Sequence, residues 1–509
     1  MAKSIRTALV SMYGVENSGV RQLSAVLKQD GREVSTVFFK NWRNNDVRAP
    51  SQDDWGALLS LLGGLRPDVV GIGFGTPYVK IVSELTRRIR ARMRPLIVWG
   101  GIHATVVPEP CLAEADAVCV GEGERPLREL VAGLCSGQDI AGIANLWVRT
   151  ADGVRRNEPG PLLQDLDQLP YRDFEDQGKF FVEDGRVREG DPLALSAELR
   201  TSASRGCPFS CSYCYNSVLR GIYRGQGDYF RRRSVGHVIG ELEYALRRLP
   251  RVRRVKFDDD TFSSDPAWVE EFCAQYERRV ALPFDLMLVP QHLDEGRLAR
   301  LKRAGLVRVQ IGIESASPGE EGRVYARRPA HEKILAYGEW NRRLGLETVY
   351  DVILDNPLST EADRDAQFEF LMEVPGPFRL FLYSLVFFPK TALTEDFLRR
   401  GLITEAQVEG NAVKSWEQFR ASFHYPRPKA ELFFLSILVL LTKPFVPRAL
   451  LRRLWRSAFL RRHPAPLALA SQLCNLLTMS GIALSMLARG ELTRMKLREY
   501  GSLRRLITQ

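Results

Sequence analysis

No secretory leader is expected at the start of the 509-residue sequence: the apolar run in MAKSIRTALVSMYG is too short for an h-region and meets a Gly-containing turn at once. A cytoplasmic, reducing setting is therefore expected. Eight cysteines in this length are too few for a disulfide framework. Three of them crowd between positions 207 and 214, which in a reduced compartment points to a metal or to catalysis. Internal repeats and low-complexity tracts are absent. With 45% hydrophobic and 26% charged residues and a mean hydropathy of -0.18, a disordered, collagen-like or polytopic membrane chain is excluded. The length suits about three domains.

Acidic residues are missing from 432 to 490, where Lys443, Arg448, Arg452, Arg453, Arg456, Arg461, Arg462 and Arg489 stand. They account for most of the net +11 and leave +3 elsewhere. A uniformly basic nucleic-acid surface is therefore not expected, and no nucleic-acid partner is implied.

What is present first is alternation. Apolar runs at Thr7–Met12, Val34–Phe39, Val69–Phe74, Leu96–Trp99 and Ala117–Val120 interleave with segments of helical period, as in Val20, Leu23 and Leu27. Over residues 1–150 this predicts an α/β domain with a doubly wound parallel sheet, whose ligands sit beyond the strands' carboxyl ends. A Pro/Gly/Asp-rich stretch, 151–192, reads as an ordered linker. From 193 to 400, strand candidates at 198–204, 253–257, 285–289, 308–313, 348–354 and 380–388 alternate with helical stretches and predict a barrel or partial barrel. Residues 401–509 read as helical.

The sharpest motif is RGCPFSCSYCYNS. Cys207, Cys211 and Cys214 follow the second domain's first strand, and a Cys-x3-Cys-x2-Cys loop lets three thiolates hold an iron–sulfur cluster with one iron left open. A zinc site is the alternative, but it wants a fourth ligand, and His237 lies 23 residues past Cys214.

At these residues the chain is similar to radical S-adenosylmethionine (SAM) enzymes, with Tyr213 in the family's usual aromatic position. The resemblance implies a [4Fe-4S] cluster on the three cysteines. Its open iron would chelate SAM, and an electron from the cluster would cleave SAM to methionine and a 5′-deoxyadenosyl radical that abstracts a substrate hydrogen. In VKFDDDTF, Asp259 and Asp260 of the Asp258–Asp260 run match the family's SAM-binding carboxylates best. Glu314 and Ser315 of IGIES occupy the position of ribose and carboxylate contacts, and Arg327 or Arg328 offers a partner for the SAM carboxylate. Bland readings stand beside these: an Asp run is commonly a solvated turn, and an Arg commonly pairs on the surface. Asp355-Asn356-Pro357 departs from the Gly-Pro-Gly turn that relatives carry, which puts the adenine contact there in doubt.

In the first domain GFGTPY (with Thr76), GGIHAT (Gly100, Gly101, His103) and VGEGE (Gly121, Glu122, Gly123, Glu124) follow strands. Each alone is a tight turn where glycine allows close approach of a ligand. Together they resemble the cobalamin-binding domain of cobalamin-dependent radical SAM enzymes, a group that includes methyltransferases and is similar to anaerobic Mg-protoporphyrin ester cyclase-type proteins. The Asp-x-His-x-x-Gly cobalt-ligand loop is missing; MYGVENSGV stands in its place, so cobalamin is expected base-off. His103 reads as a packing or hydrogen-bonding residue. Cys111, Cys119 and Cys135 read as small buried apolar residues.

In the tail, Leu450, Leu451, Leu454, Trp455, Ala458 and Phe459 share one face of a predicted helix ringed by arginines. This suits either an interfacial helix on anionic lipid at the inner face of the membrane, with an apolar substrate, or a helical cap over the barrel mouth. The segment 464–488 is uncharged but interrupted by polar residues.

The resemblance implies methylation of an unactivated carbon of a small molecule, with a reductant such as flavodoxin or ferredoxin. The alternatives are a non-methylating radical reaction such as oxidative ring closure, and a cobalamin-binding sensor with an idle radical centre. RNA methylthiolation is disfavoured, since no small basic β-domain follows the barrel.

Overall fold

The β-branched runs at the chain's start form strands buried on both faces, as the inner strands of a parallel sheet must be. In the computed structural model, which describes residues 4–41, 49–328, 330–412, 423 and 427–488, they become β1 (Arg6–Met12), β2 (Glu33–Phe39), β3 (Val69–Gly73), β4 (Leu96–Gly100) and β5 (Ala117–Cys119). β6 (Leu146–Thr150), β7 (Gly153–Arg156), β8 (Lys179–Glu183) and β9 (Arg186–Glu189) complete a nine-stranded sheet ordered β7-β6-β5-β4-β3-β1-β2-β8-β9. β1 pairs in parallel with both β2 and β3, so the direction of winding reverses there and a crevice opens beyond the strand ends.

The stretch expected to be a linker, 151–192, supplies both outermost strands and β8. Its Pro/Gly/Asp punctuation is hairpin chemistry. Asp184 and Gly185 both take positive φ (52° and 67°) between β8 and β9, the signature of a tight Asp-Gly hairpin turn. β7 and β9 are fully exposed and carry arginines, which blunts them as pairing edges.

This stretch is tied down by a buried charge network. The Arg21 guanidinium, on the helix Ser18–Gln29, donates to both Asp191 carboxylate oxygens at 2.5 and 2.7 Å and to the Asp173 carbonyl at 3.1 Å. The Lys179 ammonium lies 3.0 Å from Asp173 and 3.2 Å from Asp191. Each charge is matched, which is what makes their burial affordable.

β10 (Glu198–Thr201) opens the second domain. A two-stranded ribbon of β11 (Ser204–Arg205) and β12 (Arg231–Arg232) follows, then β13 (Arg254–Phe257), β14 (Phe284–Leu288), β15 (Leu306–Glu314), β16 (Glu347–Leu354) and β17 (Arg379–Ser384). The parallel order β10-β13-β14-β15-β16-β17 is an open six-stranded barrel with helices outside. Its wall packs around Phe257, Phe262, Phe272, Tyr276 and Phe284.

The tail departs from one of its two expectations. The predicted amphipathic helix breaks into Arg448–Trp455 and Ala458–Arg462, with Ser457 capping the second piece. Part of its apolar face is used internally, while Leu450, Ala458 and Phe459 stay exposed. Leu451 and Trp455 are buried, and Trp455 stacks on Phe368 of the barrel helix Glu361–Glu373 at 4.4 Å. Arg448 donates to the Val374 carbonyl at 2.8 Å, and the Arg461 guanidinium lies 4.5 Å above the Trp455 ring. The region is thus a cap, but one on the barrel's flank rather than over its mouth. Among the described residues, which exclude Arg489, no helix is long and apolar enough to cross a membrane.

Substituting Asp191→Ala strands two buried cations. It is expected to cost about 3–5 kcal/mol and to lower the thermal unfolding midpoint clearly more than Asp191→Asn, measured by circular dichroism.

Candidate active site

β10 and the β11 ribbon deliver the chain to the cysteine loop. Gly206 takes φ +80°, and a Cβ there would lie 2.3 Å from the Tyr229 carbonyl, so the sharp entry to Cys207 requires glycine. The Cys214 N–H donates to the Cys211 carbonyl at 3.2 Å, and the helix Tyr215–Ile222 starts directly after. From that helix Arg220 donates back to the carbonyls of Cys207 and Phe209. Burial pushes the Cys207 and Cys214 thiols up to about 11 and raises Cys211 too. Among the described residues no three His, Cys, Asp or Glu side chains are placed to hold a single metal ion, the cysteine trio included.

Around the trio, the expected SAM residues divide into two sets. Arg327 collects several groups: its guanidinium lies 3.9 Å from the Cys211 Sγ, 3.2 Å from the Tyr213 hydroxyl and 3.3 Å from Glu314 Oε1, and it donates to the Gly312 carbonyl at 2.7 Å. Glu314 ends β15 with φ +64°, at a point where the register against β16 skips, which turns its carboxylate inward. Burial raises it despite Arg327, so a cationic or hydroxyl donor arriving there would be welcome. Asp260 accepts from Asn216 at 3.0 Å and faces Cys207 and Cys214.

Asp259 and Ser315 are engaged elsewhere. The Asp259 carboxylate accepts the Ala203 N–H at 3.0 Å and the Ser204 hydroxyl, pinning the start of the cysteine loop, and burial pushes it up to about 6. Ser315 is wholly buried and donates to Glu320 at 2.6 Å. Arg328 gives its carbonyl to Gln291 at 2.8 Å.

A cavity of about 550 Å³ opens at the first sheet's crevice. Gly100, Gly101, Gly121, Glu122, Gly123 and Glu124 line it, as expected from sequence. It continues as an apolar slot between Leu9, Gly71, Val98, Leu130 and Leu146. A Cβ at Gly71 would lie 2.9 Å from the Leu9 Cδ2, so glycine keeps the slot open. A lining of this kind suits an apolar group.

Thr76 and His103 do not line the cavity. They form a chain across the domain boundary: His103 Nδ1 lies 3.2 Å from the Thr76 hydroxyl, which lies 2.8 Å from the Tyr215 hydroxyl beside Cys214. Burial pushes His103 down to about 4, so the ring is neutral, in keeping with a packing and hydrogen-bonding role. Cys111, Cys119 and Cys135 are buried, as expected.

Sequence reasoning missed Arg205, Arg231 and Tyr223, which reach from the barrel to the VGEGE loop. It also missed Asp351 on β16. That carboxylate accepts from Gln310 at 2.8 and 3.1 Å, and burial pushes it up to about 8. In DVILDN nothing local marks Asp351 as inward-facing; only the barrel's curvature does.

Residues 8–131 match the B12 binding domain model and residues 201–371 the Radical SAM superfamily model. The chain is 26% identical to an uncharacterized methyltransferase of Pyrococcus horikoshii over 68% of its own length and 72% of that protein. It is 27% identical to the anaerobic magnesium-protoporphyrin IX monomethyl ester cyclase of Rubrivivax gelatinosus, over 58% of its own length and about half (51%) of the cyclase. Its fold is similar to that of the radical SAM methyltransferase TsrM from Kitasatospora setae, solved with cobalamin and a [4Fe-4S] cluster, with a TM-score of 0.62 at 19% identity over 78% of this chain and 75% of that one. With the cysteine loop and the glycine-lined crevice facing each other, the chain combines a B12-binding domain with a radical SAM domain, the make-up of a cobalamin-binding radical SAM enzyme with a [4Fe-4S] cluster, SAM and cobalamin as its cofactors.

Proposed function

We propose that this enzyme methylates an unactivated carbon of a small, largely apolar molecule. When bound, the cofactors supply a radical from SAM for hydrogen abstraction and a methyl group from cobalamin for transfer. One observation carries the reading: the carboxyl ends of both sheets face each other, so that the crevice residues Gly121–Glu124 and the barrel residues Ser202, Ser204 and Arg205 line one cavity.

The chain's own residues would then act by placement. Cys207, Cys211 and Cys214 hold the cluster, and the Arg220 contact keeps their loop from sliding. Asp260 and Glu314 accept the amino and ribose groups of SAM, and Arg327 pairs with its carboxylate while keeping Tyr213 and Glu314 in place. Glu314 stands one step along the sheet from Asp351, whose protonated form can donate a hydrogen bond into the barrel at neutral pH. A reductant protein of the flavodoxin or ferredoxin type supplies the electron.

Two substitutions separate the cofactor sites. Gly71→Val fills the apolar slot and is expected to weaken hydroxocobalamin uptake by about tenfold or more while the brown iron–sulfur absorbance stays. Cys211→Ala should do the reverse. Loss of both properties in either variant would contradict the assignment.

The likeness to the ester cyclase favours a second reading, oxidative ring closure without methyl transfer. Anaerobic turnover with candidate substrates decides between them. Methyl transfer predicts S-adenosylhomocysteine and 5′-deoxyadenosine in equal amounts, whereas ring closure predicts 5′-deoxyadenosine alone.

The substrate's apolar character is supported by the tail. On the helix Ala465–Ala488, Leu467, Ala468 and Ser471 face inward, with Ser471 donating to the Ser436 carbonyl at 2.9 Å. Leu469, Leu473, Leu477 and Leu484 face outward, each more than half exposed. Phe445 and Phe459 are exposed nearby in sequence, and no acidic residue occurs from 432 to 490. Two copies meeting on such a face would set basic against basic, whereas an anionic lipid surface complements it. The enzyme is expected to co-sediment with phosphatidylglycerol vesicles and not with phosphatidylcholine vesicles, and Leu473→Glu with Leu477→Glu should abolish this. Equal binding to both vesicles, or to neither, removes the membrane reading.

A further inference from the structure

Glu122 and Glu124, expected from the family resemblance to serve cobalamin, turn instead across the domain boundary. The Arg231 guanidinium donates to both oxygens of Glu122, at 2.6 and 3.1 Å. Arg205 donates to Glu124 at 2.6 Å and lies 3.4 Å from Glu122. Arg205 and Arg231 are direct partners in the β11–β12 ribbon, so both guanidiniums issue from one rigid platform, two residues ahead of Cys207. Tyr223, just past the helix that follows Cys214, adds a neutral contact: its hydroxyl accepts the Glu122 N–H at 2.6 Å. A side chain at Gly121 would run into that hydroxyl at 1.8 Å, so the loop approaches the barrel as closely as glycine permits.

The charges balance, two carboxylates against two guanidiniums. Burial would raise Glu122, yet Arg231 and Arg205 hold it below the usual carboxylate range. The group also forms a wall: Glu122, Glu124 and Arg205 are shared by the 550 Å³ cavity and by a second one of about 500 Å³ behind it.

We infer that Glu122, Glu124, Arg205 and Arg231 form a clamp that fixes the cobalamin cavity relative to the cluster loop, and that the two glutamates are positioning residues rather than cofactor ligands. The amide-bearing rim of a corrin has no need of ionised carboxylates, since glutamine would hydrogen-bond it as well. Two guanidiniums do need them, because a neutral partner leaves both cations uncompensated. The clamp acts on the chemistry through distance, since misplacing reacting groups by an ångström is costly. The inference rests on the cavity being the cobalamin site.

The test is the double variant E122Q/E124Q, loaded with hydroxocobalamin and cluster and reduced with dithionite so that both centres are paramagnetic. Pulsed dipolar spectroscopy then reads the distance between them. The clamp predicts a distribution about twofold broader than in the parent enzyme, with hydroxocobalamin affinity changed by less than about threefold. An unchanged distribution overturns it, as does an affinity loss of about tenfold without broadening, which would make the glutamates cofactor ligands after all. Hydrogen–deuterium exchange of residues 203–214 needs no cobalamin. It should quicken in E122Q/E124Q that retains its cluster, and unchanged exchange refutes the clamp. If the parent enzyme takes up no hydroxocobalamin, the cobalamin reading fails while the exchange measurement still judges the clamp.

Discussion

The enzyme depends on two sheets being held with their carboxyl ends face to face. A parallel sheet concentrates glycine turns and helix N-termini at one end, and each of the two sheets offers only half of a site there. What joins the halves is chiefly paired charge. Arg205 and Arg231 meet Glu122 and Glu124, while Arg200 on β10 lies 3.3 Å from Glu16 of the β1 loop and 2.9 Å from Asp258 after β13. Apolar contact would join the domains as tightly but would fix their register less sharply. Guanidinium–carboxylate forks lose most of their value when displaced.

The same logic explains the stretch between the domains. A flexible tether would let the two faces drift, whereas here it is woven into the first sheet as β7, β8 and β9 and locked by Arg21, Lys179, Asp173 and Asp191. It then reaches the barrel helix Val235–Arg248 through Arg172, whose guanidinium donates to Glu241 at 2.6 Å. Glu241 is buried, and Arg172 and Arg233 hold it far below the usual carboxylate range against the cost of burial. The tail helices add stiffness on the barrel flank, where Trp455, Phe368 and Phe433 share one apolar core.

Legibility in the sequence followed periodicity and local spacing. The first five strands of the first sheet lie within a few residues of their apolar runs, because a strand buried on both faces must be apolar throughout; barrel strands such as Glu198–Thr201 and Arg254–Phe257 were legible by alternation instead. The glycine loops GGIHAT and VGEGE were readable for the same local reason. Asp184-Gly185 carried a hairpin signal that was outweighed by the Pro and Gly around it. The arginine-rich tail helix stayed ambiguous because an apolar stripe with cationic borders looks the same whether it covers lipid or Phe368; the stripe alone does not say what buries it.

The sequence by itself determined the class of chemistry: a Cys-x3-Cys-x2-Cys loop after a strand points to a three-thiolate cluster, since the three ligands lie within eight residues of chain. Only the tertiary structure decided what that chemistry is connected to. The ties of Glu122 to Arg231 and of Thr76 to Tyr215 span more than a hundred residues, and the direction a side chain takes there is set by the crossing of two sheets, which no local pattern records.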